Sequence, residues 1–266
     1  MSISTLSRIL LSFAVIAISL LACRKDDPAS LIPPPIPDQS FREEFDTVAK
    51  AFERGWVPIN NSNPKGSSVW TQGGAPFPIF APYSSNGSYA GFIAADYLST
   101  SGTDDVISNW LISPVITMQN GDKISFYTRT QLLPAGGGDS TDYGNNLEVC
   151  YNRKNNGTNV GVANDPKSAA YNSNTDRGDF ELLLSINPPV YNSSISFWEY
   201  KYAHSTPSLF VPGSYPAQWT RFEATISGLS GPHQGRFAFR YYTLDGGSNG
   251  NASAVGIDQV IYTSKK

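Results

Sequence analysis

The strongest constraint on this chain is a set of short segments that alternate apolar and polar residues, each closed by turn-forming residues. Lys123–Thr130 places Ile124, Phe126 and Thr128 on one side and Ser125, Tyr127 and Arg129 on the other. Arg236–Tyr242 sets Phe237, Phe239 and Tyr241 against Arg236, Ala238, Arg240 and Tyr242 in the same way. A period of two is that of a strand with one face buried. Asn120-Gly121-Asp122 reads as a hairpin turn, and Gly136-Gly137-Gly138-Asp139 as a loop. Further strands are expected at Phe41–Asp46, Ser88–Ala94, Trp110–Ile116, Asn146–Tyr151, Phe180–Ile186, Trp219–Ser227 and Ala254–Thr263. Nowhere do apolar residues recur at spacings of three and four over three turns, so helix is limited to a short turn at Val48–Arg54.

Composition agrees. The 266 residues include 23 Gly and 19 Pro and only 15% charged residues, too turn-rich for a coiled coil or helical bundle. With 14 Tyr, 14 Phe and 5 Trp the chain is too aromatic to stay unfolded. A formal net charge of −3 supplies no basic face, which argues against nucleic acid as a partner.

The N-terminus does not belong to the fold. Met1–Arg8 is a polar lead, and the apolar run Ile9–Leu21 is shorter than the roughly 20 residues a bilayer core requires. The run ends in Leu20-Leu21-Ala22-Cys23. This resembles the lipobox of bacterial lipoproteins, which implies a signal peptide over residues 1–22 and lipidation of Cys23. Arg24-Lys25-Asp26-Asp27 resembles the export signal of some Gram-negative surface lipoproteins and implies an outer-membrane protein facing outward. Two or more acyl chains anchor stably, at about 0.8 kcal/mol per buried methylene, so the membrane is met through the N-terminal lipid only. Pro28, Pro33, Pro34, Pro35 and Pro37 make residues 23–40 an extended tether. Residues 41–266 are then one domain. Cys150 is the remaining thiol, so no internal disulfide forms, and its strand-like setting in Leu147–Tyr151 reads as a buried, inert cysteine.

The order of several segments matches a known pattern. Phe41-Arg42-Glu43-Glu44-Phe45-Asp46 precedes Gly55-Trp56 and Trp70. Asn109-Trp110-Leu111-Ile112-Ser113-Pro114-Val115-Ile116 and Lys123-Ile124-Ser125-Phe126-Tyr127-Thr128-Arg129 follow, and Gly235–Tyr241 and Gly256-Ile257-Asp258-Gln259-Val260 close the chain. In that order they resemble the choice-of-anchor J family of the cleaved-adhesin and MAM-like group. The resemblance implies an all-β jelly-roll β-sandwich of two antiparallel sheets with long loops and little helix. It also implies adhesion, binding of carbohydrate or protein, and structural calcium. In such jelly rolls the carboxylates of the first and last strands lie close together; here these are Glu43, Asp46 and Asp258, the implied Ca²⁺ ligands. Crowded carboxylates need a cation or an arginine to neutralise them. Trp56, Trp70, Trp110 and Trp219 fall on the family's core positions.

Catalytic motifs are sparse. His204 and His233 have no metal-site spacing, and nucleophile elbow, P-loop and dinucleotide fingerprints are absent. His233 sits in Gly231-Pro232-His233-Gln234-Gly235, which reads as a solvated turn. A glycosidase needs only two carboxylates, and Glu148, Glu181, Glu199 and Glu223 are available. Alternation places Glu148 and Glu223 on solvent faces, so no catalytic residue is assigned.

Aromatic residues offer a binding surface instead. In Phe197-Trp198-Glu199-Tyr200-Lys201-Tyr202, alternation puts Trp198, Tyr200 and Tyr202 on one side, where they either stack on sugar rings or close the sandwich. Phe77, Phe80 and Tyr83 are a candidate second wall. The leading expectation is a surface-anchored, non-catalytic, adhesin-like module that recognises glycans or another extracellular protein. A jelly-roll glycoside hydrolase or lyase, or a structural subunit of an outer-membrane surface complex, are the alternatives.

Overall fold

The structure is a computed structural model. It describes residues 35–74, 80–83, 90–103, 105–136, 139–141, 144–164, 176–192, 197–200, 215–250 and 252–265. The chain divides after Pro37, and the unit Asp38–Lys266 carries the architecture. Its first strands are β1 (Phe41–Glu43), β2 (Val57–Asn60), β3 (Thr71–Gln72), β4 (Ile93–Asp96), β5 (Asp105–Ile112) and β6 (Ile116–Met118). Next come β7 (Lys123–Thr130), β8 (Leu133–Gly136), β9 (Asp139–Thr141), β10 (Leu147–Asn152) and β11 (Phe180–Ile186). The last are β12 (Pro189–Asn192), β13 (Phe197–Tyr200), β14 (Thr220–Thr225), β15 (His233–Gly246) and β16 (Ala254–Thr263). One short helix, α1 (Val48–Glu53), and a 3-10 turn at Tyr97–Ser99 are the helical elements of the described residues.

The strands form an all-β jelly-roll sandwich. Sheet I runs β14-β7-β16-β4-β3, with β1 also on β16; sheet II runs β11-β10-β15-β5-β2, with β6 also on β15. Every strand pairing is antiparallel. Hairpins β12–β13 and β8–β9 stand apart as two-stranded ribbons.

Alternation explains which side chains meet. Ile124 and Phe126 of sheet I face Phe237, Phe239 and Tyr241 of sheet II, and all five are fully buried. Phe126 and Phe239 meet edge to face at 4.8 Å between ring centroids, bridging the sheets. Phe41 on β1 stacks on Phe237 and on Tyr262, joining the first strand to both sheets. Gly55, at φ 99°, ends α1: its N–H donates to Phe52 O, and the next N–H, that of Trp56, donates to Ala51 O. That pair of bonds is the glycine-closed helix end, and it turns Trp56 inward onto Phe45 and Phe237.

β7, β11 and β16 occupy the expected residues. The strand expected at Trp110–Ile116 is instead two. Pro114 lacks an N–H for the ladder, so β5 ends at Ile112 and β6 begins at Ile116. β5 also starts earlier than expected, because Val106–Ile112 is buried on both faces and shows no alternation. Asn120–Gly121 is not a hairpin turn: it carries the chain from β6 in sheet II to β7 in sheet I. Gly121 takes φ 98° there, and buried Asp122 accepts the N–H groups of Gln119 and Lys265 and the hydroxyl of Tyr262.

A second layer covers the outside of sheet II. Trp110, Ile112, Cys150 and Ala238 point away from the main core and are buried under Val160 and Phe180. In the same layer Glu148 and Arg240 are cross-strand neighbours on β10 and β15. The Arg240 guanidinium, 0% exposed, donates to Glu148 Oε2 and to both oxygens of Asp176, and lies 3.8 Å over the Tyr242 ring. Arg177 adds a two-pronged contact to Glu148 at 2.5 and 3.0 Å. Glu148 is therefore not a solvent-face residue. Alternation separates the two sides of a sheet but does not reveal that residues 153–164 and 176–179 lie over one of them. Burial alone would raise the Glu148 carboxyl's pKa, but the charges of Arg240 and Arg177 outweigh it and hold it below the usual carboxylate range.

Candidate functional site

The exposed aromatic surface lies on the outer face of sheet I. Ser125, Tyr127 and Arg129 of β7 point outward there. Tyr127 is flanked in register by Arg221 of β14 on one side and by Asp258 of β16 on the other. Residues 80–83 cross this face. Phe80 stacks on Phe92 at 4.7 Å, and Trp219 closes edge-on against both rings at 5.5 Å. The Trp219 indole N–H donates to Ala81 O at 2.8 Å. Glycines make the room: a Cβ on Gly73 would lie 2.1 Å from the Phe92 ring, and one on Gly256 3.0 Å from Phe80.

Tyr83 lies beyond Phe80, and buried Asp258 fixes its place by accepting its backbone N–H at Oδ2, 2.8 Å away. The Tyr83 ring then stacks on Tyr127 with centroids 3.5 Å apart, and the two hydroxyls are hydrogen-bonded at 2.8 Å. That hydroxyl contact raises the Tyr83 phenol's pKa. Tyr83 stays 41% exposed. Beside it, the half-buried Arg129 guanidinium lies 4.3 Å over the Phe80 ring. Its Nε donates to Thr130 O at 3.3 Å, and burial pulls its pKa down.

The remaining candidates fall as follows. Glu43 is held by Arg54 through two hydrogen bonds at 2.6 and 2.9 Å and also caps the Phe45 N–H. Asp258 receives the N–H groups of Tyr83 and Gln259, and Asp46 is exposed. An arginine thus meets Glu43 and backbone amides meet Asp258, so these two carboxylates are partnered without a shared calcium ion. No group of three His, Cys, Asp or Glu placed to hold a metal ion occurs among the described residues. Glu181 pairs with Arg153, and Glu223 with Lys123 and Arg221, so neither they nor Glu148 form a carboxylate pair across a cleft. His233 is not in a solvated turn but opens β15, half-buried, with Nε2 buried and without a hydrogen-bond partner. It borders a concavity of about 450 Å³ with Arg153, Lys154 and Glu181.

Trp198 and Tyr200 lie on β13, in register with Tyr191 and Pro189 of β12. Tyr202, Phe77 and Cys23 lie outside the described residues. Trp56, Trp70 and Trp110 are buried, as expected, whereas Trp219 is only partly so and frames the outer face. Tyr127 and Arg129 were placed by alternation on the side away from the core; what singles them out is the segment 80–83 folded beside them, and no local pattern announces that contact.

Fold and face together define a jelly-roll β-sandwich that presents an aromatic platform on one sheet. No family model matches the chain, and no curated protein matches it in sequence. Among solved structures it is similar to the K1 cleaved adhesin domain of Lys-gingipain from Porphyromonas gingivalis W83, at 17% identity and a TM-score of 0.46, covering 85% of this chain and 99% of that domain. The K3 domain of the same protein gives 16% identity and a TM-score of 0.43, with 85% and 99% covered. A carbohydrate-binding module of the β-sandwich superfamily gives 11% and 0.38, with 84% of this chain and 62% of that one covered.

Proposed function

We propose that this protein is a non-catalytic, adhesin-like binding module that takes an extracellular glycan on the outer face of sheet I. The observation that carries the reading is the Tyr83–Tyr127 pair, stacked at 3.5 Å and still open to solvent beside Trp219 and Arg129. Flat rings offer apolar area to the C–H face of a sugar while their hydroxyls serve its polar edge. The described carboxylates Glu148, Glu181 and Glu223 are each committed to arginine or lysine, which favours binding over hydrolysis. In this reading a lipid on Cys23 anchors the chain in the outer membrane, residues 23–40 act as tether, and the platform faces outward. The β12–β13 hairpin, which carries Trp198 and Tyr200, is a second contact surface of the same module.

A glycan array probed with the full chain tests the reading. Retention of a glycan, weakened about tenfold or more by Tyr127→Ala through loss of a stacked ring, is the expected result. Cleavage of an arrayed glycan without retention, or binding only to proteins, would overturn it.

A further inference from the structure

Arg129 is out of keeping with its surroundings. A half-buried guanidinium has lost part of its hydration and is normally compensated by a carboxylate. Every other buried or half-buried arginine among the described residues has a partner for its charge or its donors: Arg240 and Arg177 hold carboxylates, and Arg236 donates to the carbonyls of Ser113 and Asn156. Arg129 has one weak bond from Nε to Thr130 O and no carboxylate among the described residues. Asp258, the carboxylate nearest in register, is spent on the Tyr83 and Gln259 amides.

The guanidinium is also pre-positioned. Its Cζ lies 4.3 Å from the centroid of the Phe80 ring, which is itself packed between Phe92 and Trp219, so the group rests on a fixed support. A fixed planar fork of N–H donors matches the two oxygens of a carboxylate. Tyr127 and Arg129 stand two residues apart on one face of β7, about 7 Å at strand rise. A ligand ring resting at the Tyr83–Tyr127 pair would thus have its substituents within reach of the fork.

Resting on the glycan-binding reading above, we propose that the platform selects acidic sugars, with Arg129 pairing the ring carboxylate of a uronic acid while the aromatic pair takes the sugar face. The site is a specificity device, in which neutral sugars of the same shape leave the half-buried guanidinium uncompensated.

The test is isothermal titration calorimetry of the full chain against a panel of oligouronates, their methyl esters, neutral oligosaccharides of equal length and an oligoglutamate peptide. At least one oligouronate should bind, and methyl esterification or Arg129→Gln should each weaken it about tenfold or more, the scale of a lost charge-assisted hydrogen bond. Arg129→Lys, which keeps the charge and the aliphatic stem but loses the fork, should fall between wild type and Arg129→Gln. That series holds even if Arg129→Gln disturbs folding. Neutral sugars or methyl esters binding as well as the acids, with Arg129→Lys unchanged, would overturn this inference and leave the glycan-binding reading standing. Oligoglutamate binding through Arg129 with no sugar bound would overturn both.

Discussion

Asp258 on β16 holds the backbone N–H of Tyr83, 175 positions away in sequence, and through that bond sets the Tyr83 ring on Tyr127. The carboxylate is fully buried beneath the segment it fixes. Asp258→Ala should therefore leave the Tyr83 amide unpaired at a cost of about 1.5–3 kcal/mol, the range for a hydrogen bond to a charged group. In NMR spectra the Tyr83 amide proton should lose its protection from exchange. Unchanged protection would show that stacking alone places the ring.

Glu148 is the counter-charge to two arginines in a buried layer, so Glu148→Gln should destabilise by about 3–5 kcal/mol in chemical denaturation. The pH dependence follows from the depressed carboxyl. The folded state prefers the ionised form, so the stabilisation is complete above the unfolded value of about 4.3. It is lost progressively as pH falls through the lower folded value. Wild type should lose stability steeply below pH about 4, and Glu148→Gln should show a shallower profile there. Parallel acid profiles for the two proteins would remove Glu148 from the account.

Glu43 faces Arg54 and Asp258 faces backbone amides, so these two carboxylates on the first and last strands do not require calcium. Thermal melts with calcium and with a chelator should coincide. A midpoint raised by several degrees in calcium would place a structural ion in the protein.

Cys150 is fully buried on the outer side of sheet II, where burial pushes its thiol pKa well up. A thiol reagent should modify it only on unfolding, at a rate that follows denaturant concentration. Rapid reaction in the native state would mean that the layer over sheet II opens readily.

Lipidation is tested at Cys23. Metabolic labelling with a clickable fatty acid should tag the wild-type chain, and Cys23→Ser should carry no label and leave the membrane fraction. Equal labelling of the two chains would remove the anchor.

The parts of the fold legible in the sequence are those where one face is buried and the other is not. β7 follows the alternation, β16 falls on its expected bounds although a bulge after Asp258 shifts its core-facing residues, and Gly55-Trp56 marks the end of α1. Where both faces are covered the pattern vanishes, so β5 was mis-bounded and Glu148 was assigned to solvent. A signal was available for Glu148: Arg240 shares its side of sheet II, and Asp176-Arg177 supplies a balanced pair in a loop otherwise rich in Asn and Gly. The platform was half visible. Phe80 and Tyr83 read as available rings and Tyr127 as a residue on the outer side of its strand, but their union depends on Asp258 reaching a backbone amide far along the chain, which no periodicity encodes.

The most direct test of the binding face is hydrogen exchange of the full chain, free and saturated with a glycan found on the array. The expected result is slowed exchange at residues 80–83, Tyr127–Thr130 and Trp219–Arg221. Slowing at the Arg153–His233 concavity, with residues 80–83 unaffected, would contradict it.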